Sequence, residues 1–265
     1  MNLIGGLRVV VRSISAFSAR GLFLLLLLVA QGCGAMAPMG SLSVSGETRD
    51  GLLCHPKGSP PFPAVVYSHG VIVDSRGYAE AVRRGYDLRG ICESLAKDGF
   101  LAFVPIRSRD PSLGVGRTPK EAYSRLRKEL SKVLDYVKAL PDVNPSRIAL
   151  MGHSMGGILT LLLGTERKDL KALIVSAPAP HPGVFPEVFE KADWFTAPLL
   201  LLVEAGEEDP RILANVEKLG QRLKDHGKDV RVIRYDRGGG HELFFTVSYY
   251  WDDVRNFLRA RLDAP

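Results

Sequence analysis

The chain has 265 residues, 46% of them hydrophobic and 24% charged, with 27 Gly, 17 Pro and three Cys. That length fits one large α/β domain or two small ones, and the composition excludes disordered, collagen-like and disulfide-framework classes. Formal charge is +6, but residues 1–32 hold Arg8, Arg12 and Arg20 and no acid, so the remainder carries 32 basic against 29 acidic residues. So mild an excess, with no basic run interleaved with aromatics, argues against nucleic acid as a partner.

Residues 22–30 form an unbroken apolar run of nine behind the three arginines. A spanning helix needs about 20 apolar residues, so the run reads as an export signal over residues 1–32. An uncleaved anchor extended back toward Ile14 stays open as the alternative. The run ends in Val29-Ala30-Gln31-Gly32-Cys33, which resembles a bacterial lipoprotein box, where small residues precede a cysteine that takes lipid; Gln31 departs from that pattern. Cleavage after Ala35-Met36-Ala37 competes with it, although Pro38 follows directly. The expectation is lipidation at Cys33, a short tether over 33–41, one domain over 42–265, and membrane contact only through that lipid. Export would place Cys54 and Cys92 in an oxidising compartment, where they pair or remain two buried thiols according to their Cα separation.

Along the chain, residues 42–54 read as one or two antiparallel edge strands. Short apolar, β-branched runs follow at 64–68, 100–106, 147–151, 172–176, 199–203 and 230–235. Their continuous apolarity predicts strands buried on both faces. Helical patterns lie between them at about 86–98, 119–140, 155–164, 210–226 and 247–262. The second is the clearest, with Tyr123, Leu126, Leu130, Val133, Leu134, Val137 and Leu140 on one stripe, Thr118 and Glu121 as a capping box, Pro119 at the first position and Pro141 beyond the end. This alternation predicts an α/β fold with a mostly parallel sheet, right-handed crossovers and helices on both faces.

The segment 147–157 carries chemistry: a buried strand, the turn Gly152-His153-Ser154-Met155-Gly156, then Gly157 opening a helix. A serine hydroxyl is a poor nucleophile unless it projects clear of the backbone toward a base. A sharp strand-to-helix turn does this by forcing the serine into strained dihedrals, which leaves room only for small residues two positions either side. Ser154 is the expected nucleophile, with Gly152, His153 and Gly156 forming its elbow. The base and the acid that orients it are sought in loops after later strands. Asp209 follows the run 199–203 and His241 follows 230–235, so the chain order is Ser154, Asp209, His241. Asp209 before Pro210 is also a good helix N-cap pair, and Glu207 and Glu208 are rival acids because the loop register is unknown. Backbone amides of Met155, at a helix start, and of Val71, after His69-Gly70, are the expected oxyanion donors. His69 shapes that loop, His153 packs beneath the elbow, His181 sits in a Pro-rich loop that could line the substrate site, and His55 and His226 lie at the surface. No histidine pair has metal-ligand spacing, so neither a metal nor another cofactor is implied.

Taken together, Ser68-His69-Gly70, Gly152-His153-Ser154-Met155-Gly156-Gly157, Glu207-Glu208-Asp209-Pro210 and Gly239-Gly240-His241 resemble the α/β-hydrolase superfamily. The compact layout is similar to its dienelactone-hydrolase-type branch and cutinase-like relatives, over roughly 42–262. Dienelactone hydrolases carry cysteine as nucleophile, whereas Ser154 stands here, which favours a general serine esterase. The resemblance implies the triad roles and an open cleft: the segments where a cap would be inserted, 107–118 and 177–197, are short. Phe185, Phe189, Trp194 and Phe195 in the second either wall an acyl pocket or pack that loop onto the sheet. The expected reaction is hydrolysis of a small-molecule carboxylic ester through an acyl-enzyme. A serine peptidase of the prolyl-oligopeptidase kind, or a non-catalytic binding protein on the same fold, are the alternatives; oligomeric state is not addressed by the sequence.

Overall fold

The computed structural model describes residues 39–44, 47–110, 113 and 120–263. The expected export signal, Cys33, most of the tether, Thr118 and Pro119 lie outside these residues. In chain order the elements are β1 (Met39–Val44), β2 (Glu47–Cys54), β3 (Phe62–Ser68), α1 (Val71–Arg76), α2 (Tyr78–Arg83), α3 (Leu88–Lys97), β4 (Leu101–Pro105), α4 (Lys120–Lys138), β5 (Val143–His153), α5 (Met155–Glu166), β6 (Ala172–Ser176), α6 (Phe185–Glu190), β7 (Leu199–Glu204), α7 (Pro210–Asp225), β8 (Val230–Tyr235) and α8 (Trp251–Leu262). Short 3₁₀ turns occupy Ala192–Trp194 and Gly240–Phe245.

The strands form one sheet in the order β1-β2-β4-β3-β5-β6-β7-β8. β1 pairs with β2 and β2 with β4 antiparallel, while β4, β3, β5, β6, β7 and β8 run parallel. The expected mixed sheet with an antiparallel edge is therefore the observed one. Every residue of β4, β6 and β7 is buried, as continuous apolarity requires of strands covered on both faces. α3 and α8 lie on one face, joined where Trp251 Nε1 donates to Asp98 Oδ2 at 2.8 Å. α4, α5, α6 and α7 cover the other. α5 is buried along its whole length but for Glu166, so it reads as a core helix rather than an amphipathic one.

Three features differ from expectation for physical reasons. α1 and α2 are six residues each, too short to show a helical period, so residues 71–83 give no signal. α3 begins at Leu88, where the Asp87 side chain caps it by accepting from Gly90 N at 2.8 Å. β5 starts at Val143, well before its apolar run, because the half-exposed or exposed residues 144–147 continue the strand beyond the core.

Parallel register aligns the strand ends. Ser68 of β3 pairs with Gly152 of β5, His153 with Ser176 of β6, and Glu204 of β7 with Tyr235 of β8. The loops that leave those ends gather in one crevice, where open α/β sheets place their sites.

Cys54 of β2 and Cys92 of α3 form a disulfide with Cα atoms 5.9 Å apart, so the open question of pairing closes in favour of the bond. It ties the antiparallel edge to the helix above it across 38 residues of chain. Loop-closure entropy puts its contribution at about 4 kcal/mol. Replacing both cysteines with Ala is expected to lower unfolding free energy by an amount of that order in denaturant titration; an unchanged midpoint would show that the bond constrains nothing.

Candidate active site

Ser154 occupies φ 55° and ψ −118°, between the end of β5 and the first turn of α5. This is the strained elbow that the glycine spacing predicts, and the surroundings show why glycine is required. A β-carbon on Gly156 would lie 1.8 Å from Ser68 O, and one on Gly152 would lie 2.3 Å from Gly156 O. The conformation is fastened on both sides: Ser154 N donates to Ser176 O at 3.0 Å, and Ser154 O accepts from Ala179 N at 2.9 Å and Ile158 N at 3.1 Å.

His241 is the second residue of the 3₁₀ turn after β8 and lines, with Ser154, a cavity of about 250 Å³ whose other walls are Ala179, Pro180, Glu207, Glu208, Asp209 and Ile212. Its Nδ1 donates to Glu207 Oε2 at 3.0 Å. The Glu207 side chain is 1% exposed, against 27% for His241. The contact falls to Glu207, one of the rival acids, and not to Asp209. The Asp209 carboxylate instead accepts from the backbone and side chain of Arg211 and caps α7, and the Arg211 hydrogen bonds hold it below the usual carboxylate range. The N-cap geometry turns the Asp209 side chain to Arg211, and the residue two positions earlier faces the imidazole. With a carboxylate on Nδ1, the proton sits there and Nε2 is left as the acceptor.

The loop after β3 lies against the elbow, since a β-carbon on Gly70 would come within 3.3 Å of Ser154 Cβ. Val71 is the first residue of α1 and Met155 the first of α5, so neither amide has an intrahelical acceptor. Two side chains that no motif singles out, Tyr86 and the largely buried Arg107, hold this loop. Tyr86 Oη accepts from Gly70 N at 3.0 Å and pairs with Tyr67 Oη at 3.0 Å, while its ring stacks on Phe245 at 4.5 Å. Arg107, leaving β4, donates to both oxygens of Asp74 at 2.7 and 2.9 Å, to Ser68 Oγ at 3.0 Å and to His69 O at 2.7 Å. A largely buried ion pair is expensive unless its remaining donors are used, and here they grip the loop after β3 that lies against the elbow. Charged residues abutting an apolar strand were the available signal for Arg107.

The remaining histidines behave as structure. His153 is fully buried between Tyr86, Phe244, Phe245 and the His241 ring, 4.6 Å away, and burial followed by the nearby His241 holds its pKa well below the usual value. His69 is fully buried too; burial, then Arg107, lowers its pKa to about 4. His181 packs on Tyr123 at 5.1 Å and does not line the cavity. His226 pairs with Asp193, and His55 is exposed. Phe185 and Phe195 belong to the core and Trp194 is exposed, so the cavity wall is built from Ala179, Pro180 and Ile212 rather than from the aromatic residues. Among the described residues no cluster of His, Cys, Asp or Glu could hold a metal, and no helix is long and apolar enough to cross a membrane.

Neutral burial of His69 makes stability depend on pH. The unfolded chain takes up its proton near 6.5 and the folded chain only near 4, so stability is fully present above 6.5 and is lost as pH falls toward 4. The loss from His69 alone is on the order of 3 kcal/mol, with His153 acting in the same direction. Denaturant titrations between pH 7 and 4 are expected to show it; a flat profile across that window would contradict neutral burial.

A model of the dienelactone hydrolase family matches residues 50–248. Cutinase est2 of Thermobifida alba is 32% identical over 152 residues, 54% of this chain and 46% of that protein, so the chain spans about half the length of this relative. Among solved structures, the dienelactone hydrolase of Anabaena variabilis superposes with a TM-score of 0.60 at 20% identity, over 84% of this chain and 95% of that one. The acylaminoacyl peptidase of Pyrococcus horikoshii does so with 0.62 at 20%, over 84% and 41%; both show a shared α/β-hydrolase fold. With the family pattern covering the elbow, the acid loop and the histidine, the chain belongs to the dienelactone hydrolase family.

Proposed function

We propose that the protein is a serine hydrolase that cleaves carboxylic esters through Ser154, His241 and Glu207. The observation that carries the proposal is the cavity shared by Ser154, in its strained elbow, and by His241, whose Nδ1 is engaged by the buried Glu207 carboxylate.

In this reading His241 Nε2 accepts the proton of Ser154 Oγ as the oxygen attacks the ester carbonyl carbon. The Val71 and Met155 amides receive the negative oxygen of the tetrahedral intermediate, aided by the start of α5. Collapse breaks the bond to the alcohol oxygen, which takes the proton from His241, and leaves an acyl group on Ser154. Water, deprotonated by the same nitrogen, attacks the acyl carbon; the acid departs and Ser154 recovers its proton. Glu207 keeps the imidazole in the tautomer that both half-reactions need and stabilises the imidazolium between them. The chemistry draws on no cofactor. Cutinase activity in similar proteins supports an ester as the substrate class.

We also propose export, with Cys33 as a lipidation site and the lipid as the only membrane contact. The disulfide between Cys54 and Cys92 supports it, since such bonds persist in oxidising compartments.

A fluorophosphonate probe is expected to label the wild type and not Ser154→Ala, and Ser154→Ala to lose about a millionfold in p-nitrophenyl ester turnover, the cost of removing such a nucleophile. Glu207→Gln is expected to lower kcat by roughly ten-thousandfold, while Asp209→Asn stays near the wild-type rate. The reverse ranking would return the acid role to Asp209, and cleavage of a peptide panel without ester turnover would replace the esterase with a peptidase.

A further inference from the structure

Glu204 is the last residue of β7, 1% exposed, and takes no part in the chemistry just derived. We infer that it is a positioning residue: its carboxylate ties the loop that carries Glu207 to the loop that carries His241 and so sets the distance between them. The inference rests on the proposed pairing of those two residues.

The geometry is direct. One carboxylate oxygen, Oε2, accepts from Gly206 N in the first loop, and the other, Oε1, accepts from Gly238 N in the second at 3.0 Å. Burying a carboxylate is costly, and here its two oxygens meet one backbone amide from each loop. The second loop needs an external tie. Gly238, Gly239 and Gly240 have φ of 83°, 105° and 48°, a run of left-handed backbone that delivers His241 over the strand ends but that only glycine adopts freely. That freedom would let the imidazole wander. The two loops also touch, since a β-carbon on Gly240 would come within 2.9 Å of Gly206 O. The sheet ladder runs into the junction, with Ala205 N donating to Tyr235 O at 2.7 Å. The Nδ1 to Oε2 contact of His241 and Glu207 therefore spans two loops cross-linked by one side chain placed at the strand end between them.

In Glu204→Gln one oxygen still accepts, but the new amide donor faces a backbone donor, so one of the two ties is lost; Glu204→Ala removes both. The probe of position is the far-downfield proton resonance of the His241 Nδ1–H held by Glu207, which a stabilising role elsewhere in the fold would not move. In folded protein both variants are expected to lose or broaden that resonance. Glu204→Gln should lower kcat by roughly ten- to a hundredfold with KM nearly unchanged, and Glu204→Ala should lower it further. A wild-type resonance and kcat in Glu204→Gln, with only the melting temperature reduced, would overturn the inference, as would a wild-type spectrum without the resonance. Abolition of turnover by Glu204→Gln with little effect of Glu207→Gln would also overturn it, by making Glu204 the acid itself. If Ser154→Ala kept full turnover, the proposed chemistry would fail, yet the resonance in wild type and Glu204→Gln would still decide the tie.

Discussion

Two missing β-carbons make this site possible. Gly156 lets the Ser68 carbonyl of β3 approach the start of α5, and Gly152 lets the same helix close down on β5. Only because those backbones meet can Ser154 be held at positive φ, with its amide fastened to Ser176 and its carbonyl to Ala179. The strain is local and the support is not: it comes from β3, β5 and β6, side by side in the parallel sheet. The crevice then follows from register, since strands that end level with one another send their loops to a common place.

Around that fixed serine the protein divides positioning between buried polar groups. Arg107 and Asp74 secure the loop after β3, Tyr86 joins Gly70 to the Phe245 ring of the histidine turn, and Glu204 lies between the loops that carry Glu207 and His241. Arg107, Tyr86 and Glu204 each reach a backbone atom of a loop beside Ser154 or His241, and Asp74 holds Arg107 in place. His69 and His153 are the complementary case, imidazoles kept neutral by burial, with His153 packed against His241, which stays partly open to solvent.

Much of this was legible in the residues themselves. Buried parallel strands announce themselves by unbroken apolarity, and the elbow by glycines at fixed offsets from a serine on a strand-to-helix turn. His241 was legible from its place after the last strand. Which carboxylate meets its Nδ1 was not, because Glu207, Glu208 and Asp209 are chemically close and only the turn after β7 decides which faces inward; Asp209 spends its oxygens on Arg211 and the start of α7, and Glu207 is the one that is buried. Pairing of Cys54 with Cys92 likewise depended on a Cα separation that no spacing along the chain encodes. Arg107, Asp74, Tyr86 and Glu204 lacked any motif, since their partners are backbone atoms and side chains distant in sequence. The aromatic residues of 177–197 were ambiguous between pocket and core because both uses demand the same composition; packing put Phe185 and Phe195 inside.

The arrangement of Ser154, His241 and Glu207 is tested most directly by a crystal structure of the protein inactivated with an alkylphosphonate ester. The predicted adduct has phosphorus bonded to Ser154 Oγ, the phosphoryl oxygen within hydrogen-bond distance of the Val71 and Met155 amides, and His241 Nε2 facing the remaining oxygen with Nδ1 still on Glu207. An adduct on any other side chain, or an imidazole turned away from the phosphorus with Glu207 bound elsewhere, would contradict it.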